Sequence, residues 1–158
     1  MPYALLALVL VILDQVVKYL VLTHIPLGGY VPFLPHVVCL TYVQNTGAAF
    51  SMFSQHTWIL AFISLVMSVA LWKNFFTHPL GKVTLSLLLA GAVGNLIDRA
   101  MRGFVVDMFQ LLFMNFAVFN VADICVVVGG IAAAAYYLLL ADKLEHKEAP
   151  HGTADADR

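Results

Sequence analysis

Acidic residues are scarce through most of this chain. Before residue 142 there is no glutamate and there are four aspartates, Asp14, Asp98, Asp107 and Asp123. The other five acids (Asp142, Glu145, Glu148, Asp155 and Asp157) crowd the last seventeen residues. Charged residues of both signs make up 11% of the sequence, where a soluble domain carries about 25%. That shortage excludes an ordinary soluble surface. Basic runs are missing too, and with a net charge of −1 the chain has no electrostatic footprint for nucleic acid. Cysteine is limited to Cys39 and Cys125, which match no metal-ligand spacing, need not pair, and read as packing residues. His24, His36, His56 and His78 are scattered, with no two at ligand spacing. No metal or other cofactor is expected.

What is present is apolar. The mean hydropathy is +0.92 and 62% of residues are hydrophobic, so the chain reads as an all-α integral membrane protein. Its apolar stretches approach bilayer length, about 20 residues. They are read as residues 3–22, 57–72, 83–97 and 118–140, which gives a four-helix membrane domain over 1–141 and a polar tail over 142–158. The first stretch lacks a basic start and a clear small-residue cleavage site, and it carries Asp14 and Lys18 inside. It therefore reads as a retained anchor. Orientation follows from the basic residues near the helix ends. Lys73, Lys82, Lys143, Lys147 and Arg158 fall on one side, and Arg99 and Arg102 on the other. The richer side is cytoplasmic, so both termini are placed there, with 23–56 and 98–117 extracytoplasmic.

A carboxylate in or near hydrocarbon costs several kcal/mol, so each one in such a chain is a functional hypothesis. Asp107 lies in Gly103-Phe-Val-Val-Asp-Met108 and Asp123 in Phe119-Asn-Val-Ala-Asp123, both toward the outer side. Two such acids can share one proton and prepare a water for attack. Asp123 also admits a plainer reading, as a helix-cap or first-turn acid, although the apolar run that holds it is expected to begin several residues earlier. Asp14 and Lys18 are four apart, a spacing that permits an ion pair on one helix face. Such a pair either neutralises itself within the bundle or charges the wall of a site.

Residues 37–43, rich in β-branched and aromatic side chains, follow Pro26, Gly28, Gly29, Pro32 and Pro35 and read as a strand after turns. Asn45-Thr-Gly47 then suggests a turn that brings backbone close to a neighbour. At the end of the third segment Asn95, Asp98 and Arg99 lie on adjoining helix faces, and Ala90 and Gly94 permit close helix approach. Asn120 stands three residues before Asp123. Residues 104–117 are too short to span and are expected along the outer interface.

The ordered set Asp14…Lys18, Asn45-Thr-Gly-Ala-Ala-Phe50, Gly94-Asn-Leu-Ile-Asp-Arg99, Val105-Val-Asp107 and Phe119-Asn-Val-Ala-Asp123 resembles the lipoprotein signal peptidase (signal peptidase II) family over residues 10–125. Ala90 stands where that family's glycine is expected, and Met108 where its phenylalanine is. The resemblance implies four transmembrane helices with a small extracytoplasmic β-cradle and a short interfacial helix, the latter matched to 104–117. It implies a monomeric aspartic endopeptidase of the bacterial inner membrane that needs no cofactor. That enzyme would cut prolipoproteins before a diacylglyceryl-modified cysteine, with Asp107 and Asp123 as the catalytic pair. Asn45, Gly47, Asn95, Arg99 and Asn120 would line or support the substrate site, and Asp14, Lys18 and Asp98 would shape it. Membrane lipids and cyclic-peptide inhibitors of the globomycin type are its implied further partners.

Other function classes fit the same residues less well. A proton-coupled transporter would spread its acids through membrane depth and favour an internal repeat, yet these acids gather toward one side and no repeat is visible. A docking scaffold would use Asp14–Lys18 and the small residues of the third segment, leaving the asparagines and the paired acids without purpose.

Overall fold

The computed structural model describes residues 2–47 and 79–148. The expected second segment, 57–72, and the chain beyond Glu148 lie outside the described residues. Within them are helix α1 (Pro2–His24), strands β1 (Tyr30–Leu34) and β2 (Val38–Asn45), helix α2 (Pro79–Arg102), strand β3 (Val105–Leu111) and helix α3 (Val121–Glu148). By length and composition, three of the described helices suffice to cross a membrane.

Helix α1 is built inside out. Its exposed residues include Leu5, Leu8, Val9, Ile12, Leu13, Val16 and Leu20, whereas its buried ones are Asp14, Lys18 and Val21. A helix that turns its apolar side outward suits a hydrocarbon solvent, and its polar residues must then find partners inside. Helix α2 opens on Pro79, whose missing N–H is one the first turn leaves unbonded anyway. It closes at Gly103, which has φ +80° and donates its N–H to Arg99 O at 3.1 Å. Both α2 and α3 differ from the apolar spans read from sequence, 83–97 and 118–140. Polar residues such as Lys82, Asp98, Arg99 and Arg102 lower hydropathy without breaking a helix. Leu144-Glu-His-Lys-Glu148 likewise continues α3 into the expected tail.

Small residues set the contact between α2 and α3. A Cβ at Gly91 would lie 2.5 Å from Val126 Cγ2, and one at Gly129 3.0 Å from Leu88 Cγ. The close approach anticipated for Ala90 and Gly94 therefore runs along Gly91, Gly94 and Gly129.

The strands form one antiparallel sheet in the order β1-β2-β3. The register of β2 against β3 shifts by one residue between Leu40 and Val43, a bulge that re-aims the side chains beyond it. Val21 of α1 and Ile25, just past its end, pack with Tyr42, Val106 and Met108 to form the core beneath the sheet. Met108 is fully buried in that core. Here the sequence expectation is corrected. Residues 105–111 form strand β3, and no short interfacial helix is present among the described residues. Gly103 stops α2, and the β-branched Val105-Val106 pair then meets the open edge of β2, whose unbonded backbone groups favour a strand over an isolated helical turn. β1 is a further strand that the turn-rich reading of 26–35 did not anticipate. Pro32 sits within it, as an edge strand permits.

Candidate active site

Backbone hydrogen bonds first bring the two ends of the site together. Met108 and Phe109 donate their N–H groups to Phe119 O at 3.0 and 2.8 Å, and Phe119 donates back to Phe109 O at 3.1 Å. The Phe109 and Phe119 rings pack with centroids 5.6 Å apart. The chain entering α3 is thereby stapled beside β3, and Asn120 comes to lie next to Asp107.

Asn120 serves both acids. Its Nδ2 donates to Asp107 Oδ1 at 2.6 Å, and its backbone N–H donates to Asp123 Oδ2 at 3.1 Å. Asp123 N–H returns a bond to Asn120 Oδ1 at 2.9 Å. This is a reciprocal cap in which Asn120 precedes the helix and Asp123 ends its first turn. The expectation that Asp123 lies several residues inside the helix is thus corrected. The apolar Val118 and Phe119 ran the segment back to 118, but the first intrahelical turn begins only at Val121, where Asn120 caps the free N–H of Asp123. The plainer reading, a first-turn acid, describes its location.

Asp107 is 2% exposed. Its other oxygen, Oδ2, accepts from Asn45 Nδ2 at 2.8 Å. Asn45 pairs with Val105 across the sheet, which puts it diagonal to Asp107 on the same face, within side-chain reach. Asn45 Oδ1 also accepts the N–H of Gly47 at 3.0 Å, closing the turn after β2 and fixing the amide. Burial, reinforced by the negative charge of Asp123, pushes the Asp107 carboxyl up to about 6, against the opposing pull of Asn45, Asn120 and Lys18.

The third amide is Asn95, which donates to Asp123 Oδ1 at 2.8 Å. Its own oxygen accepts from Lys18 Nζ at 2.9 Å and from Asn120 Nδ2 at 3.2 Å. These contacts fix which end of the amide faces the acid. Lys18, fully buried, sits 2.9 Å from Asp14 and 3.1 Å from Asp98. The i,i+4 pair expected between Asp14 and Lys18 forms, and Asp98 joins it from α2. Arg102 completes the cluster with a bond to Asp98.

Arg99 lies within electrostatic reach of Asp123 and Asp107. Its Nη1 donates to Asn95 O at 3.3 Å, while its buried Nε has no partner among the described residues. Asp107, Asp123, Asn45, Asn95, Asn120 and Arg99 therefore share one site, with Gly47 at its edge and Asp14, Lys18 and Asp98 behind it. Cys39 and Cys125 are buried free thiols. Among the described residues, no three His, Cys, Asp or Glu side chains are grouped to hold a metal. Sequence reading passed over Gln15 and Arg102. Arg102 was legible as the i+4 neighbour of Asp98, but nothing local marked Gln15.

Buried carboxylates and amides converge where helices long and apolar enough to cross a membrane meet a small sheet, an arrangement that solved membrane enzymes share. The chain resembles two solved structures, each of a bacterial membrane enzyme. One has a TM-score of 0.79 at 30% identity and covers 96% of this chain and 94% of that one. The other has a TM-score of 0.75 at 33% identity and covers 87% and 92%. Residues 6–139 match the model of the signal peptidase (SPase) II family. The chain is 46% identical to the lipoprotein signal peptidase of Streptococcus pneumoniae over 133 residues, covering 80% of this chain and 85% of that protein. It is 43% identical to that of Enterococcus faecalis over 155 residues, covering 96% and 95%. The chain belongs to the signal peptidase II family and is a membrane protease.

Proposed function

We propose that this protease is an aspartic endopeptidase that removes the signal peptide from diacylglyceryl-modified prolipoproteins, cutting before the lipidated cysteine. The observation that carries the reading is Asn120, which bonds Asp107 through its side chain and Asp123 through its backbone. One residue thus holds two carboxylates to a common point, as a proton-sharing pair requires.

Charge supports a single shared proton. Asp14, Asp98, Asp107 and Asp123 are clustered with Lys18, Arg99 and Arg102, four negative groups against three positive. One proton on the pair makes the cluster neutral, which low-dielectric surroundings favour. In this reading Asp107 carries the shared proton and Asp123 is the base. Asp123 takes a proton from water as its oxygen attacks the scissile carbonyl carbon. Asp107 gives its proton to the carbonyl oxygen, forming a gem-diol. On collapse Asp123 gives its proton to the amine nitrogen as the C–N bond breaks, and Asp107 takes one from a gem-diol hydroxyl, which leaves a carboxylic acid and restores the pair. The unpartnered Nε of Arg99 offers a donor for a substrate carbonyl.

The site gathers at one end of the helices, where α1 and α2 finish and α3 begins. With both termini in the cytoplasm, that end is the extracytoplasmic face of the bacterial inner membrane. There lipid chains stay in the bilayer while the peptide bond meets water. The enzyme acts as a monomer, and cyclic peptides of the globomycin type compete for the same site.

The test is cleavage of a diacylglyceryl-modified precursor by the full chain and by Asp107→Asn and Asp123→Asn. Both variants are expected to lose about 100- to 10,000-fold in rate. Near-normal cleavage by either would overturn the pair, and equal cleavage of an unmodified precursor would overturn the substrate assignment. Activity that appears only when zinc is supplied would overturn the metal-free mechanism.

A further inference from the structure

Two backbone grips flank the pair of acids. Asp98 Oδ2 accepts the N–H of Val106, the residue before Asp107, at 3.0 Å. Asp14 Oδ1 accepts the N–H of Ala122, the residue before Asp123, at 2.9 Å. Each scaffold carboxylate, from a different helix, therefore fastens the peptide that carries one functional acid. The distance between those acids depends on what holds Asp14 and Asp98 to each other. Lys18 does so by charge.

Gln15 does so by hydrogen bonding. Its Nε2 lies 3.2 Å from Asp14 Oδ2, 3.3 Å from Asp98 Oδ1 and 3.1 Å from Gly94 O. An amide nitrogen has two protons, so all three acceptors draw on one donor group, and all three are internal to the protein. We propose that Gln15 is a positioning residue: it ties the Asp14 grip to the Asp98 grip and so sets the spacing of Asp107 and Asp123. The inference rests on the peptidase reading above. It adds a residue that touches none of the reacting groups and acts only through the two grips.

Loss of the tie has a definite signature. The acids relax apart, so their mutual repulsion weakens and the pair gives up its shared proton at lower pH. Among the described residues, the other charged groups around the pair are Lys18 and Asp14 from α1 and Asp98 and Arg99 from α2, with Arg102 behind Asp98. All of them remain in a Gln15 variant.

Cleavage of the diacylglyceryl-modified precursor by the full chain tests this, with kcat, KM and pH profile read for Gln15→Leu and Gln15→Glu. Gln15→Leu is expected to lower kcat about tenfold or more with KM within about twofold, because misplaced reacting groups cost rate and not ground-state binding. Its alkaline limb should move to lower pH. Gln15→Glu keeps the shape but loses the donor and sets a third carboxylate against Asp14 and Asp98, so its kcat should fall at least as far as that of Gln15→Leu. Rates are taken per folded molecule, from the fraction that elutes as monodisperse protein. If both variants keep the wild-type kcat and limb on that basis, the proposal is overturned while the peptidase reading stands. A wild-type chain that leaves the precursor uncut overturns the peptidase reading and this inference with it.

Discussion

Asn120 and Asp107 are joined by a 2.6 Å hydrogen bond from amide Nδ2 to carboxylate Oδ1, and both residues are at least 98% removed from solvent. The contact is at the short end for N–H···O and is charge-assisted whenever Asp107 is ionised. The same residue caps α3, so its side chain supports a helix end and the Asp107 carboxyl at once.

Those two roles separate by substitution. Asn120→Ala loses the cap and the donor, and is expected to cost about 1 kcal/mol of stability along with roughly 10- to 100-fold in kcat. Asn120→Asp keeps a capping oxygen but cannot donate to Asp107. It should melt closer to the wild type in a thermal unfolding scan yet cleave no faster than Asn120→Ala.

Lys18 neutralises two buried carboxylates, and a methionine cannot. Lys18→Met leaves Asp14 and Asp98 with Arg102 alone, and breaking such a buried network costs about 3–5 kcal/mol. The folded yield in detergent should fall sharply. Adding Asp14→Asn to that variant restores local neutrality, because Asp98 and Arg102 then balance, and part of the lost yield should return. A double variant no better than the single one would contradict the charge argument.

Gly94 marks a tight point behind the site. A Cβ there would stand 2.6 Å from Asp14 Oδ2 and 3.2 Å from Ala122 Cβ. Asp14 is held by Lys18 and cannot swing away, so Gly94→Ala must push α1 or α3 outward. We expect about 1–3 kcal/mol of destabilisation and a measurable loss of cleavage at temperatures where the variant is still folded.

Asp107 should titrate near 6, visible as a protonated carboxyl stretch in infrared difference spectra. Asp123→Asn removes one of the two causes that raise it, so the titration should move down while burial keeps it above the usual carboxylate range. The sign for stability follows. A carboxyl raised from 3.8 to about 6 contributes stability that is full below pH 3.8 and is lost as pH rises through 6. Unfolding scans across that window should show this contribution falling, and Asp107→Asn should flatten it.

Much of the fold was open to sequence reading because hydrocarbon is a demanding solvent. Apolar length marked the membrane segments, and the few acids were conspicuous because each is costly there. Asp107, Asp123 and the Asp14–Lys18 spacing stood out on that basis alone. Strand β3 did not, since Val105–Leu111 is as compatible with an interfacial helix until β2 offers it an edge. Helix ends also escaped, because hydropathy registers solvent preference while caps such as Asn120 and Gly103 decide where helical bonding starts and stops.

The sequence by itself determined a chain with membrane-length apolar segments, few acids in its body, and a set of amide and carboxylate motifs in a recognisable order. Only the tertiary structure decided which of those groups meet. The bulge in β2 aims Asn45 at Asp107, the Phe109–Phe119 pairing delivers Asn120 between the acids, and Gln15 reaches residues about 80 positions away. Such contacts join elements remote in sequence. Spacing along one helix encodes its faces, but it carries no information about the neighbour against which a face is packed.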